Sequence, residues 1–147
     1  MIADTEIHLR DFIKEEHILF LQESTRKGAI LRLTSLLQNS NEIFEAIMKR
    51  EKVVSTGIGM GIALPHARCK QMEDFAICIG ICDEGIDWQA IDNLDVKLIM
   101  LIAGPDSLHN EYLKILSQIT TLLKDSSTRE TLLHTKNKSA LVKIFQS

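Results

Sequence analysis

Apolar positions change their spacing along the chain, and the changes mark out elements. His17-Ile18-Leu19-Phe20-Leu21 is a short apolar run and predicts a strand. Ser24 or Thr25 then offers a hydroxyl cap, and Ala29, Ile30, Leu33, Leu36 and Leu37 recur on one helical face. Ser40 or Asn41 caps a second helix carrying Ile43, Phe44, Ile47 and Met48, which ends near Arg50-Glu51. The spacing then becomes continuous. Phe75 to Cys82 is apolar and rich in isoleucine, and Val96 to Ala103 is more so, as in a central strand covered on both faces. Between them, Gly85 to Asn93 reads as an irregular connection around Trp88. Helical spacing returns after Pro105-Asp106-Ser107, with Tyr112, Leu113, Leu116, Ile119, Thr120 and Leu123 as one stripe. Ser127 and Glu130 have capping-box spacing for a short helix, and Ser139 caps a last one over Ala140 to Phe145. Helices at both ends with strands between predict an α/β sandwich around a mixed sheet.

The punctuation is sparse and concentrated. Gly57, Gly59 and Gly61 alternate just before Pro65-His66, and Gly104-Pro105 closes the second long apolar run. Alternate glycines let a backbone turn sharply and approach a ligand closely, and such loops present N–H groups to anions. The segment is not a P-loop, because no Lys-Ser or Lys-Thr follows the glycines. Nor is it a dinucleotide fingerprint: the spacing is G-x-G-x-G, and a proline follows rather than a helix. Spacing alone leaves two readings of His66 open, a functional imidazole or a bystander in a plain loop. His109 and Tyr112 are the other candidates. At about 100° per residue, with Leu116 as the centre of the apolar face, His109 lies about 20° to one side and Tyr112 about 40° to the other. Both then point inward near a helix N-terminus, where an anion is favoured.

Composition narrows the function classes. A chain of 147 residues fits one compact domain. Seventeen Lys and Arg against twenty Asp and Glu leave a net charge of −3, which gives no electrostatic reason to propose nucleic acid. No apolar run approaches the ~20 residues of a membrane span, so no direct membrane insertion is expected. The start, MIADTEIHLR, lacks the basic-then-apolar pattern of a secretion signal. Three cysteines, an odd count, argue against a disulfide framework and for a reducing, cytoplasmic setting. His66-x-x-Cys69 offers two ligands at close spacing, but no second pair completes a tetrahedral set, so no metal is expected. Cys78 and Cys82, four apart, fall on one face of a strand.

The stretch from Arg50 through Val53-Val-Ser-Thr-Gly-Ile-Gly-Met-Gly-Ile-Ala-Leu-Pro-His66-Ala-Arg68 resembles the active-site segment of the fructose/mannitol-type EIIA domains of the phosphoenolpyruvate-dependent sugar phosphotransferase system. The likeness continues through Gly85-Ile-Asp-Trp88, the Val96 strand and the helix after it, and covers nearly the whole chain. Nitrogen-regulatory EIIA proteins share the segment, and Trp88 leans toward the sugar-transport branch. The resemblance implies one domain over residues 1–147, α/β, with a mixed, about five-stranded sheet sandwiched between helices. It implies that His66 accepts phosphoryl from phospho-HPr and hands it to an EIIB acceptor, with no cofactor. The motif arginine falls on Arg50. Arg50 and the Thr56-Gly57 region are expected to stabilise the phosphoryl oxygens. The family's second histidine aligns with Tyr112, while His109 sits one turn earlier, so either could supply a further donor. Ile58, Met60, Ile62 and Leu64 are open to two readings, an apolar docking rim or core.

Overall fold

The computed structural model describes residues 7–146. Two 3-10 turns, Leu9–Phe12 and Glu15–His17, lead into β1 (Ile18–Phe20). Helices α1 (Arg26–Thr34) and α2 (Ser40–Glu51) follow, then three short strands, β2 (Gly57–Gly59), β3 (Ile62–Ala63) and β4 (His66–Cys69). The long strands are β5 (Ala76–Ile86) and β6 (Val96–Pro105), and α3 (His109–Lys124), α4 (Ser126–His134) and α5 (Lys138–Gln146) complete the described chain.

The strands form one mixed sheet in the order β1-β5-β6-β3-β2, with β4 also paired to β6. β5 and β6 are antiparallel, while β1 lies parallel to β5 and both β3 and β4 lie parallel to β6. β3 and β4 keep one register on β6: Ile62 and Ala63 face Leu98 and Ile99, and His66 to Cys69 face Ile102 to Pro105. They are one strand line interrupted at Leu64-Pro65. Pro65 has no N–H to give, though its carbonyl still accepts from the Ile102 N–H at 2.9 Å. The sheet therefore has six strands along five lines, which reconciles it with the five expected.

Both faces are covered, so the central strands alternate between two cores rather than between core and water. Ile77, Ile79, Leu98, Met100 and Ile102 pack with α3 residues Tyr112, Ile115, Ile119 and Leu123. Cys78, Cys82, Ile99, Leu101 and Ala103 pack with α1 and α2 through Ile30, Leu33, Ile43 and Ile47. Cys78 and Cys82 share a face, as their spacing requires, and burial pushes the Cys78 thiol up to about 12.

Several boundaries differ from the sequence reading. Thr25 does cap α1, its hydroxyl accepting from the Gly28 N–H, but the helix stops at Thr34 and leaves Leu36 and Leu37 beyond it. α2 begins at Ser40 behind a left-handed Asn39, with no side-chain cap. β6 runs on through Pro105, so α3 starts at His109 rather than at Asp106. α4 is capped by Asp125, which accepts from the Thr128 N–H and hydroxyl, and not by Ser127. Asn137 accepts from the Ala140 N–H at the start of α5, in place of Ser139. The apolar face of α3 is centred between Ile115 and Ile119, which leaves Leu113 and Thr120 exposed.

A histidine-centred cleft at the sheet edge

Strand alternation decides where the β4 side chains go. Ala67 and Cys69 enter the core under α2. His66 and Arg68 emerge on the opposite face, in line with Ile62 and Leu64, toward α3. β2 pairs only with β3, so β4 has β6 on one side alone. α2 packs against β4 from one layer, and α3 brings His109 and Tyr112 from the other. The result is a cleft of about 570 Å³ that wraps the sheet edge, lined among others by Lys49, Arg50, His66, Arg68, His109 and Tyr112.

His66 is half-buried, and its Nδ1 lies 2.7 Å from the Leu64 carbonyl oxygen. A carbonyl only accepts, so Nδ1 carries the proton and Nε2 holds the lone pair. Burial lowers the pKa of His66; the bond to the Leu64 carbonyl pulls it part of the way back, and the Arg50 charge lowers it again against a smaller upward pull from Glu51. The imidazole is therefore neutral at pH 7. Tyr112 is buried beside it, ring centroids 6.2 Å apart, and stacks on Phe75 at 6.4 Å. Burial pushes the Tyr112 phenol up, which keeps its O–H a donor.

Arg50, in the last turn of α2, donates from Nη1 to the Val54 carbonyl at 3.1 Å. Arg68 donates from Nη1 to His109 Nδ1 at 2.7 Å, and its guanidinium lies 5.9 Å from the Tyr112 ring centre. Among the described residues neither arginine makes an ion pair with a carboxylate. His109 is exposed, on the flank of α3 about 100° from the centre of its apolar face. The inward orientation expected from a stripe centred on Leu116 does not hold.

Thr56 and Gly57 do not line this cleft. Thr56 is buried, its hydroxyl bonded to Glu51, its N–H donating to Glu51 Oε2 at 3.3 Å, and Trp88 Nε1 donating to its Oγ1 at 3.2 Å. The Gly57 N–H donates to Ser55 Oγ at 3.1 Å. A Cβ at Gly57 would stand 2.8 Å from the Ala90 Cβ, so glycine is required there for close chain packing. Arg26 and Ser55 both donate to the Trp88 carbonyl, and Arg26 also pairs with the buried Glu51 at 3.5 Å. The Thr56 carbonyl accepts from the Leu64 N–H at 3.0 Å. This network props the strand line from which His66 projects. Ile58 and Met60 are 38% and 46% exposed, while Ile62 and Leu64 belong to the core, so the two readings of that quartet divide between them.

Arg68 was not singled out by its sequence context. The signal was its place two residues after His66, which on a strand means the same face. Reading the segment as a loop concealed it. Among the described residues no group of three His, Cys, Asp or Glu could hold a metal ion, and no helix is long and apolar enough to cross a membrane.

An edge-strand histidine with its Nδ1 bonded to a carbonyl, and arginines from two elements lining its cleft, make the candidate site of this α/β domain. The chain belongs to the family described as phosphoenolpyruvate-dependent sugar phosphotransferase system, EIIA 2, whose model matches residues 11–147. It is 37% identical over 147 residues to the PTS system fructose-specific EIIABC component of Bacillus subtilis, covering 96% of this chain but only 22% of that protein. Among solved structures, the nitrogen regulatory protein IIA-Ntr of Neisseria meningitidis superposes with a TM-score of 0.88 at 25% identity, over 93% of this chain and 98% of that one. The Escherichia coli enzyme IIAMTL, solved in complex with phosphorylated enzyme IIBMTL, shares the fold with a TM-score of 0.74 at 22% identity, over 89% of this chain and 94% of that one.

Proposed function

We propose that this protein is a cytoplasmic carrier that takes a phosphoryl group from phospho-HPr onto His66 Nε2 and passes it to an EIIB acceptor during uptake of a fructose- or mannitol-type sugar. One observation carries the reading: Nδ1 of His66 donates to the Leu64 carbonyl, which leaves the lone pair on Nε2 of a ring that lines the same cleft as Arg50 and Arg68. In the transfer, that lone pair forms the new P–N bond as the bond from phosphorus to the donor nitrogen breaks. The electron pair leaves with the donor nitrogen. The proton stays on Nδ1, donated to the Leu64 carbonyl oxygen, so none has to move at His66.

The protein's contribution is position and charge. Arg50 neutralises the phosphoryl oxygens, and the Tyr112 hydroxyl donates to one of them. Thr56 and Gly57 act indirectly, by fixing the strand line. A modest donor set suits a carrier, because phosphoryl bound too tightly is not handed on. Val53 is exposed and lines the cleft, where it forms part of the docking rim, and the exposed Ile58 and Met60 of the β2–β3 hairpin would extend that rim along the sheet edge. The test is incubation with phosphoenolpyruvate, Enzyme I and HPr. An acid-labile phosphate should form and should disappear in His66→Ala, and full labelling of that variant would end the proposal.

The likeness to IIA-Ntr favours a second reading, a regulator that binds a target differently in its two phosphorylation states. Transfer of label to a cognate EIIB supports the first reading. Phosphorylation-dependent capture of a target, with no EIIB accepting the label, supports the second.

A further inference from the structure

We propose that Arg68 is a second guanidinium for the phosphoryl group and that His109 is its positioning residue; this rests on His66 being the phosphorylated group. Alternation along β4 puts Arg68 on the same side as His66, two residues on, and both line the same cleft. A guanidinium has five N–H donors. One is taken by His109 Nδ1 at 2.7 Å, and the planar group lies over the Tyr112 ring. No carboxylate neutralises it among the described residues; Asp106 lines the cleft but pairs with neither arginine. A cation held in place with free donors and no counter-ion, beside a neutral nucleophile, suits an incoming dianion.

His109 explains why Arg68 stays there. As acceptor it keeps its own proton on Nε2 and holds the guanidinium from the exposed side, while Tyr112 holds it from below. The two arginines reach His66 from α2 and β4, which lets them clamp different phosphoryl oxygens in transfer.

The experiment is single-turnover labelling from phospho-HPr over a range of donor concentrations. Arg68→Ala should lower the maximal rate about 100-fold, and Arg68→Lys should restore about tenfold of that. His109→Ala should cost about fivefold and add nothing on top of Arg68→Ala, whereas His109→Gln, whose amide oxygen accepts, should recover most of the loss. A rise in half-saturating donor concentration with an unchanged maximal rate would make Arg68 a docking charge and overturn the proposal. So would additive losses from Arg68 and His109. Should wild type fail to label on His66, the carrier reading falls first. The Arg68 Nε–H resonance, followed by NMR during titration with inorganic phosphate, then judges Arg68 separately: a saturable shift that persists in His66→Ala supports it, and no shift refutes it.

Discussion

His66 and Arg50 were legible from the sequence because a motif carries them, yet the motif does not say how the imidazole is prepared. The structure supplies the Leu64 carbonyl and the burial. Burial also lowers His17, assisted by Lys14. Both histidines are thus depressed in the folded state relative to an ordinary value of about 6.5. Between the folded and unfolded pKa values the unfolded chain binds more protons, so stability is full above about pH 6.5 and declines as pH falls through the folded values. Urea unfolding at pH 7.5 and pH 5.0 should show the decline, and His17→Gln with His66→Gln should flatten it. Arg50→Gln should slow labelling about 100-fold with little change in melting temperature, because its charge faces a cleft rather than a core. Thr56 illustrates the limit of reading residues singly: a hydroxyl beside glycines suggests an anion contact, and only the fold reveals Glu51 and Trp88 waiting for it.

At the scale of elements, what could be read depended on length. β5 and β6 were visible as long apolar runs because two cores enclose them. β2, β3 and β4 hold two to four residues each, too few for a period to emerge among glycines, and they read as a loop. The helix α3 was found, but its face was misplaced because Leu113 and Leu116 resemble core residues as closely as Ile115 does. Gly57→Ala should test the close packing of β2 on the Trp88 connection. Its methyl must displace the Ala90 backbone, at a cost of about 1–3 kcal/mol, read as a shift in denaturation midpoint. Met60→Asp should leave that midpoint nearly unchanged, since the side chain is exposed, and should raise the donor concentration needed for half-maximal labelling severalfold. An unchanged concentration dependence would remove Met60 from the rim.

For the whole molecule, the α/β sandwich followed directly from helices flanking isoleucine-rich strands, while the sheet order did not, because nothing in the pattern tells that β4 continues β3 past a proline. Trp88 ties distant parts together. It is fully buried, and Trp88→Phe should cost about 1–3 kcal/mol by stranding the Thr56–Glu51 pair without its indole donor. Thermal unfolding measures the loss, and labelling of the still-folded variant tells whether the prop reaches His66. The cleft has a consequence of its own. Its walls come from helices on opposite layers of the sheet, each seated on a separate core. If either layer loosens, the cleft opens while most of the secondary structure persists. Phosphoryl acceptance would then behave as an early-warning gauge of the fold, fading in mild urea before the circular dichroism of the helices begins to fall.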